Sequence, residues 1–363
     1  MKLLLISDIH LGVKNNSDFF LNVIKDYFLK EIIPSIQRNK IDQLWILGDF
    51  FDNRYNINVL IENTGINIIK KILKEFPNLK INMIIGNHDI YYKNSLKVNS
   101  LRKFANLHKN LKVISTVESF DLDGCNVLAV PWLIEGSENH TEFRKVIEDY
   151  KNTGNKRYDW CFGHFEINGF EVVKNVVHQH GLAQSDFKAF DQVYSGHFHI
   201  RCKQGNIQYL GSPYEINWND HGDIKGHYVL DTDTKKVLFF ENTISPKHVH
   251  VNVSSIQKDR DILKNIPKQF IKLHIDTDID ESALNDVLTS VENSLPTLMQ
   301  VIDERYDLEI KNEDIKLDGL IESDALQYAL EYVDSIQFDK SISIDEMKKR
   351  IIYVYNTVVK ESE

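Results

Sequence analysis

Five short stretches of this 363-residue chain put metal-ligating side chains directly after apolar runs. They are Asp8-Ile9-His10, Gly48-Asp49-Phe50-Phe51-Asp52, Gly86-Asn87-His88-Asp89, Gly163-His164 and Gly196-His197-Phe198-His199. Asp8, His10, Asp49, Asn87, His164, His197 and His199 all offer oxygen or nitrogen donors, and none offers sulfur. Such a set could hold two divalent ions that share a carboxylate, the arrangement that clamps the attacking and leaving oxygens of a phosphoryl displacement. Donors without thiolate favour Mn, Fe or Zn held through oxygen and imidazole over thiolate-bound Zn. Each stretch alone has a plainer reading, as a turn, an exposed loop or a polar strand face. Their occurrence together, in one order, points to a site. Four of the five carry a glycine immediately ahead of the polar group, where the backbone can turn tightly beside it. Read as the end of a strand after Val193-Tyr194, the Gly196-His199 stretch has His197 and His199 leaning the same way, because strand side chains alternate.

The elements that must position these groups follow from the periodicity. KLLLIS, QLWILG and KINMIIG read as buried strands. Between them, residues 18–37 and 57–76 carry apolar residues at helical spacing, which makes a βαβ pattern with polar chemistry at the carboxyl ends of the strands. From Val113 the pattern turns to hairpins, with an Asp-Gly turn at Asp123-Gly124 and a second turn near Asp233. YDWCFG, QVYSG and IQYLGS supply further strands. The fold class is α/β, a two-layered mixed β-sheet sandwich flanked by helices, over residues 1–245. After Ser245-Pro246 the runs FIKLHID, DESALNDVLTSVENSL and TLMQVID predict a small α+β domain over 246–312. Residues 313–363 hold two amphipathic segments, 319–336 and 344–359, read as a helix-loop-helix.

Composition narrows the class of function. A formal net charge of −10 disfavours a protein that clamps nucleic acid by bulk electrostatics, although carboxylates meant for bound cations inflate that figure. No run approaches the roughly 20 apolar residues of a membrane helix, so no membrane association is expected. The apolar start of MKLLLISDIHLG is too short for a leader h-region and reads as a strand. The cysteines Cys125, Cys161 and Cys202 are odd in number and widely spaced, which suits a reducing compartment, the cytoplasm. His178, His180, His248 and His250 repeat the H-x-H spacing without a preceding glycine and are assigned to surface.

The ordered set of five stretches resembles the calcineurin-like metallophosphoesterases over residues 1 to about 240. Within them it looks like the SbcD-type DNA double-strand-break repair nucleases, on Leu11-Gly12, Val130-Pro131-Trp132, HFEINGF and Tyr209-Leu210-Gly211-Ser212-Pro213 followed by Lys225-Gly226. HFEINGF and the Val-Pro-Trp loop suggest the T-even phage branch. The resemblance implies one metal held by Asp8, His10, Asp49 and His199 and another by Asp49, Asn87, His164 and His197, with Asp49 bridging. It makes His88 the group that protonates or stabilises the leaving oxygen. Some members have a histidine where this chain has Asp52, whose carboxylate could instead orient His88.

The same resemblance implies two divalent ions, Mn²⁺ with Mg²⁺ as alternative, and DNA as substrate, in a bacterial or phage-infected host cytoplasm. It makes 246–312 a capping domain that guides DNA, and makes the tail a docking site for an SbcC-type SMC-like ATPase. It further implies a homodimer, for which Ile61, Ile68 and Ile72 offer an apolar stripe. The activity expected is double-strand exonuclease and single-strand endonuclease. A phosphomonoesterase or small-substrate phosphodiesterase on the same scaffold, and a scaffold without catalysis, are the competing readings; the C-terminal third argues against the first and the full ligand set against the second.

Overall fold

The computed structural model describes residues 1–173 and 176–305. The strands of its two large sheets begin with β1 (Lys2–Ile6), β2 (Gln43–Leu47), β3 (Lys80–Ile84) and β4 (Leu111–Ile114). The chain then makes β5 (Glu118–Leu122), β6 (Cys125–Val130), β7 (Tyr158–His164), β8 (Phe190–Gly196), β9 (Cys202–Gln204) and β10 (Ile207–Tyr209), and returns as β11 (Gly226–Asp231) and β12 (Val237–Glu241). Two six-stranded sheets result, ordered β12-β11-β1-β2-β3-β4 and β9-β10-β8-β7-β6-β5. The pairs β1–β2, β2–β3 and β3–β4 are parallel, as are β6–β7, β7–β8 and β8–β10, while the edge hairpins are antiparallel.

Strand alternation distributes the apolar residues between layers. Leu3 and Leu5 of β1 and Trp45 and Leu47 of β2 face a core shared with Trp160, Phe162 and Tyr194 of the second sheet. Leu4, Ile6, Leu44 and Ile46 face the other way, onto α1 (Asp18–Tyr27) and α2 (Val59–Glu75). A third cluster packs α3 (Glu138–Thr153) against the outer face of the second sheet through Phe143 and Ile147. Because both faces of the central strands are covered, those strands are apolar throughout. The Asp123-Gly124 turn has φ of 53° and 83°, as a two-residue type I′ hairpin requires.

The stripe proposed for subunit pairing is consumed by the chain's own core: Ile61, Ile68 and Ile72 are all buried. What α2 exposes is Val59 and Leu60, at 71% and 54%. Tyr55, Tyr91 and Tyr92 are also exposed, and the rings of Tyr55 and Tyr91 lie 5.4 Å apart.

After β12, the strands β13 (His248–Asn252), β14 (Phe270–Ile275) and β15 (Leu298–Asp303) form a three-stranded sheet in that order. Together with α4 (Glu281–Asn293) it encloses a small core of its own, including Val251, Ile271, Leu273, Val287 and Val291. Phe270 stacks on Phe20 of α1 at 5.8 Å, and His248 stacks on Phe270 at 4.6 Å. His248 is therefore not a surface residue. Glu215 buries it, accepting from its backbone N–H at 2.5 Å and lying 3.0 Å from its Nδ1. The amphipathic segments expected at 319–336 and 344–359 lie outside the described residues. Among the described residues, no helix is long and apolar enough to cross a membrane.

Candidate metal centre

All seven donors named from the sequence come together where β1, β2, β3, β7 and β8 end. In one group Asp8, His10 and His199 place ligand atoms within 4.8 Å of one another, and in a second Asp49, His164 and His197 do the same. The Nε2 atoms of His10 and His199 face each other at 3.0 Å. Asn87 joins the second group, its Oδ1 lying 2.9 Å from His164 Nε2 and 3.0 Å from His197 Nδ1. Asp49 lies between the groups, with Oδ2 3.3 Å from His164 Nε2 and 3.7 Å from His10 Nε2.

The backbone is bent to achieve this. Asp8, His10, Asp49 and His197 have φ of 53°, 49°, 52° and 97°, a region costing of order 1–3 kcal/mol for residues other than glycine. Such strain persists only when its surroundings hold it. The preceding glycines make room: a Cβ on Gly86 would collide with Asp49, and one on Gly196 with Ser7 and the Leu47 carbonyl. The strand reading of Gly196-His199 needs correction here. β8 stops at Gly196, and the following turn sends His197 to the second group and His199 to the first.

The chemistry of the donor set fits a cation. His164 Nδ1 lies 2.8 Å from the Leu47 carbonyl, which can only accept, so that nitrogen carries the proton. Without a proton, as a metal ligand must be, Nε2 would turn a lone pair toward Asn87 Oδ1 and the Asp49 carboxylate. Three electron-rich atoms converge on one point. Burial by itself would depress His164, yet the Asp49 charge and hydrogen bond push it up to about 9. In the same way burial opposes ionisation of Asp49, but His164 and then His10 hold it well below the usual carboxylate range. Burial, followed by repulsion from His164, pulls His197 down to about 3. Burial and His10 do the same to His199, also to about 3. The site thus combines a demand for positive charge around Asp49 and His164 with His197 and His199 unprotonated, the state in which histidine ligates a metal.

His88 sits at the rim, beside His10 at a centroid distance of 4.9 Å. Its backbone N–H donates to Asp49 Oδ1 at 2.8 Å. The expected pairing of the Asp52 carboxylate with His88 is not what the geometry shows. Asp52 Oδ1 lies 3.2 Å from His10 Nδ1, and it is the Asp52 main-chain carbonyl that accepts from His88 Nδ1, at 2.6 Å. A carboxylate behind a ligating imidazole fixes its tautomer and raises its basicity.

Several supporting residues were given no role from the sequence, or only a vague one. Asp89, the last residue of the Gly86-Asp89 stretch, accepts from the backbone N–H groups of Asp49, Phe50, Phe51 and Gly86 at 2.9–3.3 Å. It staples the loop after β2 to the loop after β3. Burial and the Asp49 charge push it up to about 7, against those donors. Lys225 is buried and donates to the His199 carbonyl at 2.7 Å while pairing with Asp220 and Asp223 at 2.8 and 3.0 Å. Ser7 Oγ donates to Asp8 Oδ2 at 2.5 Å. Asp89 and Lys225 both stand in stretches singled out in the sequence, without these tasks.

Comparison with known proteins agrees with this geometry. The family model for calcineurin-like phosphoesterases matches residues 1–201. The chain is 29% identical over 321 residues to "Exonuclease subunit 1" of Enterobacteria phage T4, covering 83% of this chain and 91% of that protein. It is 26% identical over 216 residues to a protein designated phosphoesterase 078R in Invertebrate iridescent virus 3, covering 58% of this chain and 57% of the relative. Among solved structures, a dimetal phosphatase from Danio rerio is 11% identical with a TM-score of 0.34, over 63% of this chain and 91% of that one. A likeness of that size bears on neither fold nor function.

Proposed function

Since the chain belongs to the calcineurin-like phosphoesterases, enzymes that use divalent metal ions, we propose that it is a DNA nuclease with a dinuclear centre, acting as a double-strand exonuclease and single-strand endonuclease on DNA ends. The observation that carries this reading is the meeting of two imidazole–carboxylate groups on Asp49, with His88 at the rim. The identity over nine-tenths of a phage exonuclease subunit supports DNA as the substrate.

Asp8, His10 and His199 would hold one ion, Asn87, His164 and His197 the other, and Asp49 both. Two such ions would neutralise charge on the attacking and leaving oxygens of a phosphodiester. Mn²⁺ suits the oxygen and imidazole donors, with Mg²⁺ as the alternative. Asp52 orients His10 from behind, and Lys225 fixes the turn that carries His199. His88, turned by the Asp52 carbonyl, delivers or shares a proton with the departing oxygen.

The α+β piece, 246–312, would guide DNA toward the centre, and 313–363 would dock an SbcC-type SMC-like ATPase. A homodimer would pair through Val59, Leu60, Tyr91 and Tyr92, the exposed apolar residues left once the isoleucine stripe is buried. The decisive experiment incubates purified protein with Mn²⁺ or Mg²⁺ and end-labelled single- and double-stranded DNA, with elemental analysis for two ions per chain. Intact DNA under both ions, with p-nitrophenyl phosphate hydrolysed instead, would overturn the nuclease in favour of a phosphomonoesterase.

A further inference from the structure

Behind the second donor group lies a cavity of about 370 Å³ that no step above uses. His164 forms part of its wall, and so does Trp132, whose ring stands 5.0 Å from His197 and 5.9 Å from His164. The cavity therefore adjoins the second donor group. Its other walls come from Leu133, Leu182, Glu166 and Arg144.

The charges decide what the cavity would accept. Arg144 could mark a phosphate site, but its charge is paired with Asp186, which accepts from Nη1 at 2.6 Å, while Nε donates to His140 at 3.3 Å. Glu166 and Glu135 face the same space and oppose an anion. Glu166 is held in place, with His178 Nε2 2.8 Å from its Oε1. Gly181 brings its backbone so close to Glu166 that any Cβ there would collide with the Glu166 main chain. What remains is a slot with an aromatic face, aliphatic sides and a carboxylate acceptor at one edge, in the size range of small-molecule sites. An uncharged flat heterocycle that donates N–H fits those terms. Aromatic faces stack on any base, whereas a carboxylate accepts from the exocyclic amine of cytosine.

We infer that this cavity is a nucleobase subsite for the nucleotide next to the cleaved phosphate, with preference for amine-bearing bases over thymine. The inference rests on the nuclease reading for its place in the reaction, and on the cavity alone for its chemistry. Two measurements separate these. In the first, full-length protein without added metal is titrated with deoxycytidine and with thymidine, following tryptophan fluorescence. Deoxycytidine should bind more tightly by at least about tenfold, since thymine carries a carbonyl oxygen where cytosine offers its exocyclic amine, and that oxygen repels the carboxylate. The variant Glu166→Gln should shrink that difference, and Leu182→Trp, which fills the slot, should weaken both ligands.

In the second, the Mn²⁺-loaded chain hydrolyses bis(p-nitrophenyl) phosphate, which carries no base, and the p-nitrophenyl esters of dCMP and dTMP. The ratio of kcat/KM for the dCMP ester to that for the bis ester should fall at least about tenfold in Leu182→Trp. Circular dichroism checks that each variant is folded, and Glu166→Gln stands in if Leu182→Trp is not. Equal binding of the two nucleosides, or an unchanged ratio in a folded variant, overturns the subsite. Loss of the nuclease reading would show separately, as nucleoside binding without cleavage of any diester.

Discussion

His88 and Asp89 are neighbours with different tasks. His88 stands with His10 and Asp52 at the rim rather than in either donor group, so His88→Gln should keep both ions and lose cleavage by roughly 10²–10⁴-fold. Metal content beside DNA cleavage reads this, and a variant that sheds metal instead would reassign His88 as a ligand. Asp89 touches no donor of the centre through its neighbours' side chains but holds four backbone N–H groups. Asp89→Asn turns an amide group toward donors and should cost roughly 1–3 kcal/mol for each donor left unmatched. A fall in Tm together with weaker metal loading is the expected result, while an unchanged Tm would refute the staple. Both residues were visible in the Gly86-Asp89 stretch. Their division of labour was not, because it depends on which loop each one faces.

Between elements, a buried polar bridge joins the first sheet to its helices. His227 of β11 meets the hydroxyls of Tyr27 of α1 at 2.9 Å and Ser35 at 2.8 Å. Burial, with Arg38 adding to it, lowers His227 to about 4. The unfolded chain takes up this proton near pH 6.5 and the folded chain only near 4, so the unfolded state binds more protons in between. Stability should be full above about pH 6.5 and decline as pH falls toward 4, by roughly 3 kcal/mol from this group. Thermal melts of chelator-treated wild type and His227→Gln between pH 7.5 and 4.5 test it, and parallel pH slopes would refute it. The sequence offered no hint of this bridge, since an isolated histidine in the strand run GHYVLD looks like any other.

At the scale of the whole molecule, each proposed partner has its own test. Truncation after Lys316 should leave a chain that still cuts DNA in Mn²⁺ but no longer co-purifies with an SMC-like ATPase. Undiminished co-purification would remove the tail from that role. On light scattering, Leu60→Asp should shift a dimer to monomer, and a wild type that is monomeric at micromolar concentration would discard the dimer. By itself, the sequence determined the elements and the donor set. Apolar runs mark buried strands regardless of their neighbours, and a metal centre needs particular side-chain types that few other roles demand in that order. Only the tertiary structure decided which isoleucines of α2 were spare, where the Asp52 carboxylate points, why His248 is buried and how His197 and His199 part company. These depend on what lies across the gap from each side chain and on backbone strained to positive φ, and neither is written in local periodicity. The strain at Asp8, His10, Asp49 and His197 is held by groups more than 35 residues away, such as Asp89 beneath Asp49. Long-range contacts of that kind exist only once the sheets have closed.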